Sequence, residues 1–181
     1  MSGFVVLLNG SPSAGKTTLA KAVQAASETP LFHRSLDDFL AGYLKRFREQ
    51  DDGTLFEQVL VGYVHSLAQL AVSGNDVVAE SVIIPEWVSL YLKAFEQVPV
   101  LLVGVHCTLE VAQERERART DRTHPVDLDV PWFATVHDVP YDLEVDNSQG
   151  LAAEELADEV IALLKDPPTR RAFDGLRRAA S

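Results

Sequence analysis

The sequence predicts a three-layer α/β fold, a five-stranded and mainly parallel sheet with helices on both faces. Three observations carry that expectation. Short apolar, β-rich runs alternate with helical stretches along the chain. The first run, Phe4-Val5-Val6-Leu7-Leu8, is apolar at every position, as a strand buried on both faces should be. A turn rich in glycine and serine then leads directly into a helical stretch, the βα connection of such a sheet. Ligands of these sheets bind beyond the carboxyl ends of the strands, which says where to look for chemistry.

After the first strand comes a helix over 16–26, then a short strand, Leu31 to Leu36, ending at Asp37-Asp38. Leu55, Phe56, Val59, Leu60, Val64, Leu67 and Leu70 recur at helical spacing and predict one apolar face over 54–72. Gly74-Asn75 breaks that helix, and Asp76 to Val82 reads as a third strand. A helix over 86–95 begins just after Pro85, and Pro99 to Val105 is the fourth strand. Thr108 suits an N-cap for a helix over 109–120. Residues 123–131 hold Pro125 and Pro131 and read as a loop, followed by a short helix near 132–137 and a fifth strand, Tyr141 to Val145. The last core helix is 151–164, stopped by Pro167-Pro168. One domain is expected over 1–165, with 166–181 as a frayed, arginine-bearing tail.

Composition narrows the function. A chain of 181 residues, 46% hydrophobic and 24% charged, can bury one real core. A net charge of −11 argues against a nucleic acid partner and against an anionic membrane surface. One cysteine, Cys107, excludes an internal disulfide framework and a cysteine-based zinc cluster. No secretory leader is apparent and no apolar run approaches the roughly 20 residues that span a bilayer, so a soluble, cytoplasmic protein is expected.

Gly10-Ser11-Pro12-Ser13-Ala14-Gly15-Lys16-Thr17 fits G-x-x-x-x-G-K-[ST] at every defined position, between a buried strand and a helix. Glycines let the backbone wrap close to an anion, so that successive N–H groups point at phosphate oxygens. In that geometry residues Gly10 to Thr18 bind a nucleoside triphosphate. Lys16 bridges the β- and γ-phosphates and the Thr17 hydroxyl ligates Mg²⁺. A glycine-rich turn with a chance lysine is the alternative, and a full match in the required slot speaks against it. The motif is silent on what receives the phosphate.

Two further groups lie at predicted strand ends. Asp37 and Asp38 follow the second strand, where a carboxylate can take the proton of a substrate hydroxyl; capping the next helix is the equal alternative. Glu80 ends the third strand, where an acid serves Mg²⁺ directly or through water. Arg115, Arg119 and Arg122 recur at i, i+4 and i+7 on one face of a continuing helix. They suit a lid that closes over a triphosphate; a solvated helix laced by Glu114 and Glu116 is the alternative. Arginine rather than lysine in so acidic a chain favours the lid. His33, His65, His106, His124 and His137 show no metal-ligand spacing and read as structural or surface residues. Trp87 and Trp132 read as core packing before pocket lining, and Cys107 as a small buried hydrophobe.

Taken in order, these pieces resemble the chloramphenicol phosphotransferase-like family of P-loop kinases. The likeness rests on Leu8-Asn9-Gly10 running into the phosphate loop, on Leu36-Asp37-Asp38-Phe39, and on Val103-Gly104-Val105-His106-Cys107 leading to the three arginines. Val136-His137 followed by Tyr141-Asp142-Leu143-Glu144-Val145-Asp146 completes it, and the likeness reaches to about residue 165. It implies a P-loop kinase fold with an arginine-bearing lid. It also implies transfer of the γ-phosphate of ATP, or GTP, with Mg²⁺, to a hydroxyl of a small molecule, an antibiotic in the family's type member. An antibiotic-modifying resistance enzyme follows as the expectation. The resemblance puts the base on Asp37, the lid on Arg115, Arg119 and Arg122, and Asn147-Ser148 near the nucleotide base.

The chain departs from the family where Glu80-Ser81 replaces a paired Asp-Asp, and in 40–58 and 82–98, which should shape the acceptor pocket. Two other readings stand beside it. One is a metabolic kinase acting on a nucleoside, nucleotide or sugar, with Arg34, Arg46 and Arg48 as candidate acceptor contacts. The other is a nucleotide-dependent switch or binding module, which would have no need of a base at Asp37 and lacks an Asn-Lys-x-Asp guanine signature here.

Overall fold

Residues 2–43, 47, 53–119, 128–129 and 134–180 are described by the computed structural model of the chain. In order they form β1 (Val5–Asn9), α1 (Lys16–Ala26), β2 (Leu31–Ser35), α2 (Leu36–Leu40), α3 (Thr54–Val72) and β3 (Asp76–Ser81). A 3₁₀ turn at Pro85–Trp87 leads into α4 (Val88–Ala94), followed by β4 (Val100–His106) and α5 (Leu109–Ala118). Then come β5 (Leu143–Asp146), α6 (Ala153–Lys165) and α7 (Ala172–Ala180). The strands lie in the order β2-β3-β1-β4-β5. All four pairings are parallel, and central β1 sets Val5 against both Val77 and Val100. The five carboxyl ends therefore share one edge.

Period-two alternation divides the core. Val5 and Leu7 of β1, with Val77, Ala79, Val100 and Leu102, face α3, α4 and α7. Val6 and Leu8, with Val78, Val103, Val105 and Val145, face α1 and α6. The expected strand buried on both faces is present, every residue of β1 being buried.

One segment is long and apolar enough, by length and composition alone, to cross a membrane: α3 has 19 residues and a mean hydropathy of 1.2. Its packing makes it a core helix, since Val59, Leu60, Tyr63, Val64, Leu67, Ala68 and Ala71 are buried against the sheet.

One expectation needs correction: residues 166–181, read as a frayed tail. Instead α7 docks on the sheet. Phe173 is 2% exposed, with its ring 6.0 Å from Phe95. The Arg177 guanidinium donates to the Phe95 carbonyl at 2.6 Å. Asp142 accepts from Ala172 N–H at 2.7 Å and from Leu102 N–H at 2.8 Å, tying this helix to β4. A single aromatic anchor among four arginines leaves no periodic signal, so the sequence conceals the docking.

Phe173→Ala is expected to cost about 3–5 kcal/mol, the usual penalty for emptying a buried phenylalanine site. Urea denaturation of the two proteins measures it. A fraying helix would instead leave stability within about 0.5 kcal/mol.

Candidate active site

The loop joining β1 to α1 is built by close approaches. A Cβ on Gly10 would lie 2.3 Å from the Val105 carbonyl, so only glycine lets the loop leave the sheet beside β4. Gly15 has φ 97°, and a Cβ there would fall 2.2 Å from Nδ2 of Asn147. Ser13 also takes a left-handed conformation, φ 60°. No side chain caps α1, which leaves its first N–H groups to the loop's concave side. Lys16 is 9% exposed, and Nζ donates to the Gly10 and Ser11 carbonyls at 2.7 Å each. Wrapping the loop around this cation satisfies carbonyls that the tight turns would otherwise leave bare. Thr18 stays exposed in the first turn of α1.

Thr17 meets Glu80 here, its hydroxyl donating to Oε2 at 2.6 Å. The other carboxylate oxygen, Oε1, lies 2.7 Å from Nε2 of His33 on β2. Beneath them the buried Tyr63 hydroxyl donates to the backbone carbonyls of Glu80 at 2.7 Å and Arg34 at 3.1 Å. Burial holds this phenol well above its ordinary range. Ser81 points the other way, to the Tyr91 hydroxyl, so Glu80 alone of that pair serves the edge.

Asp37 lies just beyond the end of β2. The capping alternative fails on geometry: Ser35 is the N-cap of α2, its Oγ accepting from Asp37 N–H at 3.1 Å. Asp37 and Asp38 are exposed in the first turn, where the helix dipole favours negative charge.

Of the three arginines, Arg115 and Arg119 fall among the described residues. The Thr108 hydroxyl caps α5 as read, but the helix stops at Ala118 and Arg119 is extended, with ψ 135°. Arg119 is the C-cap, so the chain turns off the helix after it, and Arg122, with Arg46, Arg48, His124 and Trp132, lies outside the described residues. Arg115 faces the phosphate loop, donating to the Asn147 carbonyl at 2.9 Å and the Ala14 carbonyl at 3.4 Å. Asn147 donates from Nδ2 to the same Ala14 carbonyl at 2.9 Å. Ser148 accepts from Thr108 N–H at 3.1 Å, and its own N–H and hydroxyl bonds hold the Asp146 carboxyl below its usual range. Glu116, read as part of a solvated face, is 3% exposed and accepts from the Ser13 hydroxyl.

Asn9, the residue before the loop, was legible only as part of the family likeness. Its Oδ1 accepts from Ile83 N–H at 2.6 Å, while Nδ2 donates to the Val136 carbonyl and the Tyr141 hydroxyl at 2.8 Å each. The Tyr141 ring covers Gly104, where a Cβ would come within 2.7 Å of it. His137 stacks on His106 with ring centres 3.9 Å apart and bonds Tyr141 through Nδ1 at 2.8 Å. Burial, and then the neighbouring His106, lower the His137 pKa to about 4. His106, His137 and His65 are thus structural or surface residues as read, whereas His33 is placed at the edge carboxylate. Trp87 packs against Phe56 at 5.5 Å, and Cys107 is half-buried with its thiol pushed up by burial.

This sheet order, with the loop after the central strand, is that of a P-loop kinase. Solved structures with the same fold include the Mycobacterium tuberculosis APS kinase in complex with AMPPNP and APS, at TM-score 0.71, 20% identity, and coverage of 91% of this chain and 99% of that one. A shikimate kinase from Acinetobacter baumannii in complex with shikimate matches at TM-score 0.64 and 16% identity, over 93% and 96% of the two chains. Among sequence relatives are two provisionally named O-phosphotransferases from Mycobacterium tuberculosis strains CDC 1551 and H37Rv. Each is 32% identical over 201 aligned positions, covering 97% of this chain and 88% of theirs. A model of chloramphenicol phosphotransferase-like proteins matches residues 3–165. The chain belongs to the chloramphenicol phosphotransferase-like family, and that membership supports a phosphotransferase.

Asn9→Ala should lower stability by about 1–3 kcal/mol, because it strands the buried Ile83 N–H, whereas the Val136 carbonyl keeps the Tyr141 hydroxyl; thermal or urea unfolding checks this. The His137 shift predicts a pH dependence. Between about pH 6.5 and 4 the unfolded chain binds a proton that the folded chain does not, so stability falls with pH across that window. His137→Gln should flatten the fall, read as the difference in urea midpoint between pH 7 and pH 5.

Proposed function

We propose that the chain transfers the γ-phosphate of ATP to a hydroxyl of a small molecule. The observation that carries this reading is the 2.6 Å contact between Thr17 and Glu80, which joins the phosphate loop to the strand-end acid. A hydroxyl and a carboxylate are the hard oxygen donors that suit Mg²⁺. Among the described residues no group of three or more His, Cys, Asp or Glu side chains gathers to hold a metal. That fits an ion taking its other ligands from phosphates and water, as Mg²⁺ does in kinases. Bound there, Mg²⁺ supplies charge neutralisation to the transferring group.

In this reading Asp37 takes the proton of the acceptor hydroxyl, and its place beyond β2, with capping left to Ser35, supports that role. Lys16 balances charge on the β- and γ-phosphates. Arg115 and Asn147 brace the loop backbone at Ala14 and border the nucleotide. Arg119 and Arg122 act from the segment after α5, on charge developing in the transition state. GTP is an alternative donor. An antibiotic hydroxyl is the acceptor that family membership favours, with nucleosides and sugars as competitors, and a cytoplasmic site of action suits the ATP requirement.

Incubating the protein with γ-labelled ATP and a panel of hydroxylated antibiotics, nucleosides and sugars tests the reading. Label should move to one acceptor class; absence of transfer to every hydroxyl compound, with ATP bound, would sink it. Lys16→Ala should lower transfer by about 10²–10³-fold, as loss of an electrostatic clamp does, with circular dichroism unchanged. Asp37→Asn should lower kcat by roughly 10²–10⁴-fold while a directly titrated nucleotide Kd barely moves. Wild-type transfer by that variant would move the base elsewhere.

A further inference from the structure

We propose that His33 is a positioning residue of the metal subsite, fixing the Glu80 carboxylate so that Oε2 faces Thr17. The inference rests on the phosphotransfer reading above and extends it to a side chain that no sequence motif marks.

Register explains how a residue on β2 reaches this acid. Ser35 pairs with Glu80 and His33 with Val78, so His33 and Glu80 share one face of adjacent strands as diagonal neighbours. Val78 packs in the cluster beneath α1, the helix that carries Thr17. Both donors thus approach Glu80 on the same face. A carboxylate only accepts, so Nε2 of His33 carries the hydrogen in their 2.7 Å bond. Thr17 donates to the second oxygen at 2.6 Å, and each oxygen has one protein donor from this pair. The side chains of His33 and Glu80 are 16% and 7% exposed, so water does little to hold the carboxylate in place.

The backbone under Glu80 is fixed independently by the β-ladder and by Tyr63 on its carbonyl. What remains free is the side chain, with three rotatable bonds that α1 and β2 restrict from opposite ends. Removing the Thr17 end would damage the phosphate loop itself. Removing the His33 end leaves that loop intact and releases only the acid. Partners that orient a metal-ligating carboxylate are worth about 10–100-fold in metal affinity, and that is the effect expected here.

The test measures Mn²⁺ binding by electron paramagnetic resonance, in the presence of a non-hydrolysable ATP analogue, for the wild type, His33→Ala, His33→Gln and Glu80→Gln. His33→Ala should weaken Mn²⁺ binding about 10–100-fold with nucleotide affinity in the absence of metal unchanged. His33→Gln, whose amide N–H can donate over a similar reach, should restore most of the loss. Should His33→Ala fail to fold, His33→Leu, which also lacks a donor, replaces it with the same expectation. Unchanged Mn²⁺ affinity without the donor, or equal weakening with glutamine in its place, overturns the proposal. Glu80→Gln separates the two claims. If that variant binds Mn²⁺ like the wild type, the metal subsite itself is wrong. If it weakens Mn²⁺ while His33→Ala does not, only the role of His33 falls.

Discussion

One side-chain amide decides how the edge of this sheet is arranged. Asn9 is the last residue of the central strand and is fully buried. It takes the Ile83 N–H from the connection after β3 and gives hydrogen bonds to the Val136 carbonyl and the Tyr141 hydroxyl before β5. The apolar layers on either side hold the sheet together without direction. The amide adds direction, setting two crossovers against the residue from which the phosphate loop departs. Gly10 then passes the Val105 carbonyl, and Tyr141 lies flat on Gly104; both contacts require the amide to hold its partners where it does.

Electrostatics at the same edge work against the charge of the whole. The chain carries −11, yet its loop geometry is suited to a polyanion. Screening removes most of the conflict, since exposed charges beyond roughly 8 Å contribute little at physiological salt. Nearby, Lys16 lies inside the loop and Arg115 against it. Two buried carboxylates also sit close, but both are spoken for: Glu80 by Thr17 and His33, and Glu116 by Ser13. Their acceptor capacity is turned onto hydroxyls and an imidazole of the chain.

What the sequence reveals is what repeats or sits next to itself. Buried parallel strands read as apolar runs, the phosphate loop as an unbroken motif, and Thr108 as a local cap, because each depends on neighbours a few positions away. The parts that escape depend on distant partners. Glu116 reaches Ser13 across 103 positions and Arg115 reaches Ala14 across 101, so a charged helix that looks solvated turns out to grip the loop. His33 finds Glu80 across 47 positions, through strand register that no spacing encodes. Asp37 was ambiguous for a smaller reason: Ser35, two residues earlier, competes for the cap and takes it. The end of α5 at Ala118 also escapes, since helical periodicity does not mark where a helix stops.

The docking of α7 also bears on how the chain folds as it is made. Phe173 belongs to the same apolar cluster as Val5 and Leu7 of the first strand. A nascent chain therefore exposes part of that cluster until residues 172–180 have cleared the ribosome. With synthesis at about 5–20 residues per second, the early strands wait roughly 10–30 s for their last partner. Parallel pairings such as β1 with β4, joined only through long crossovers, lengthen the search further. The C-terminal helix is thus the last piece of that core to arrive, and the apolar face it covers stays open until it does.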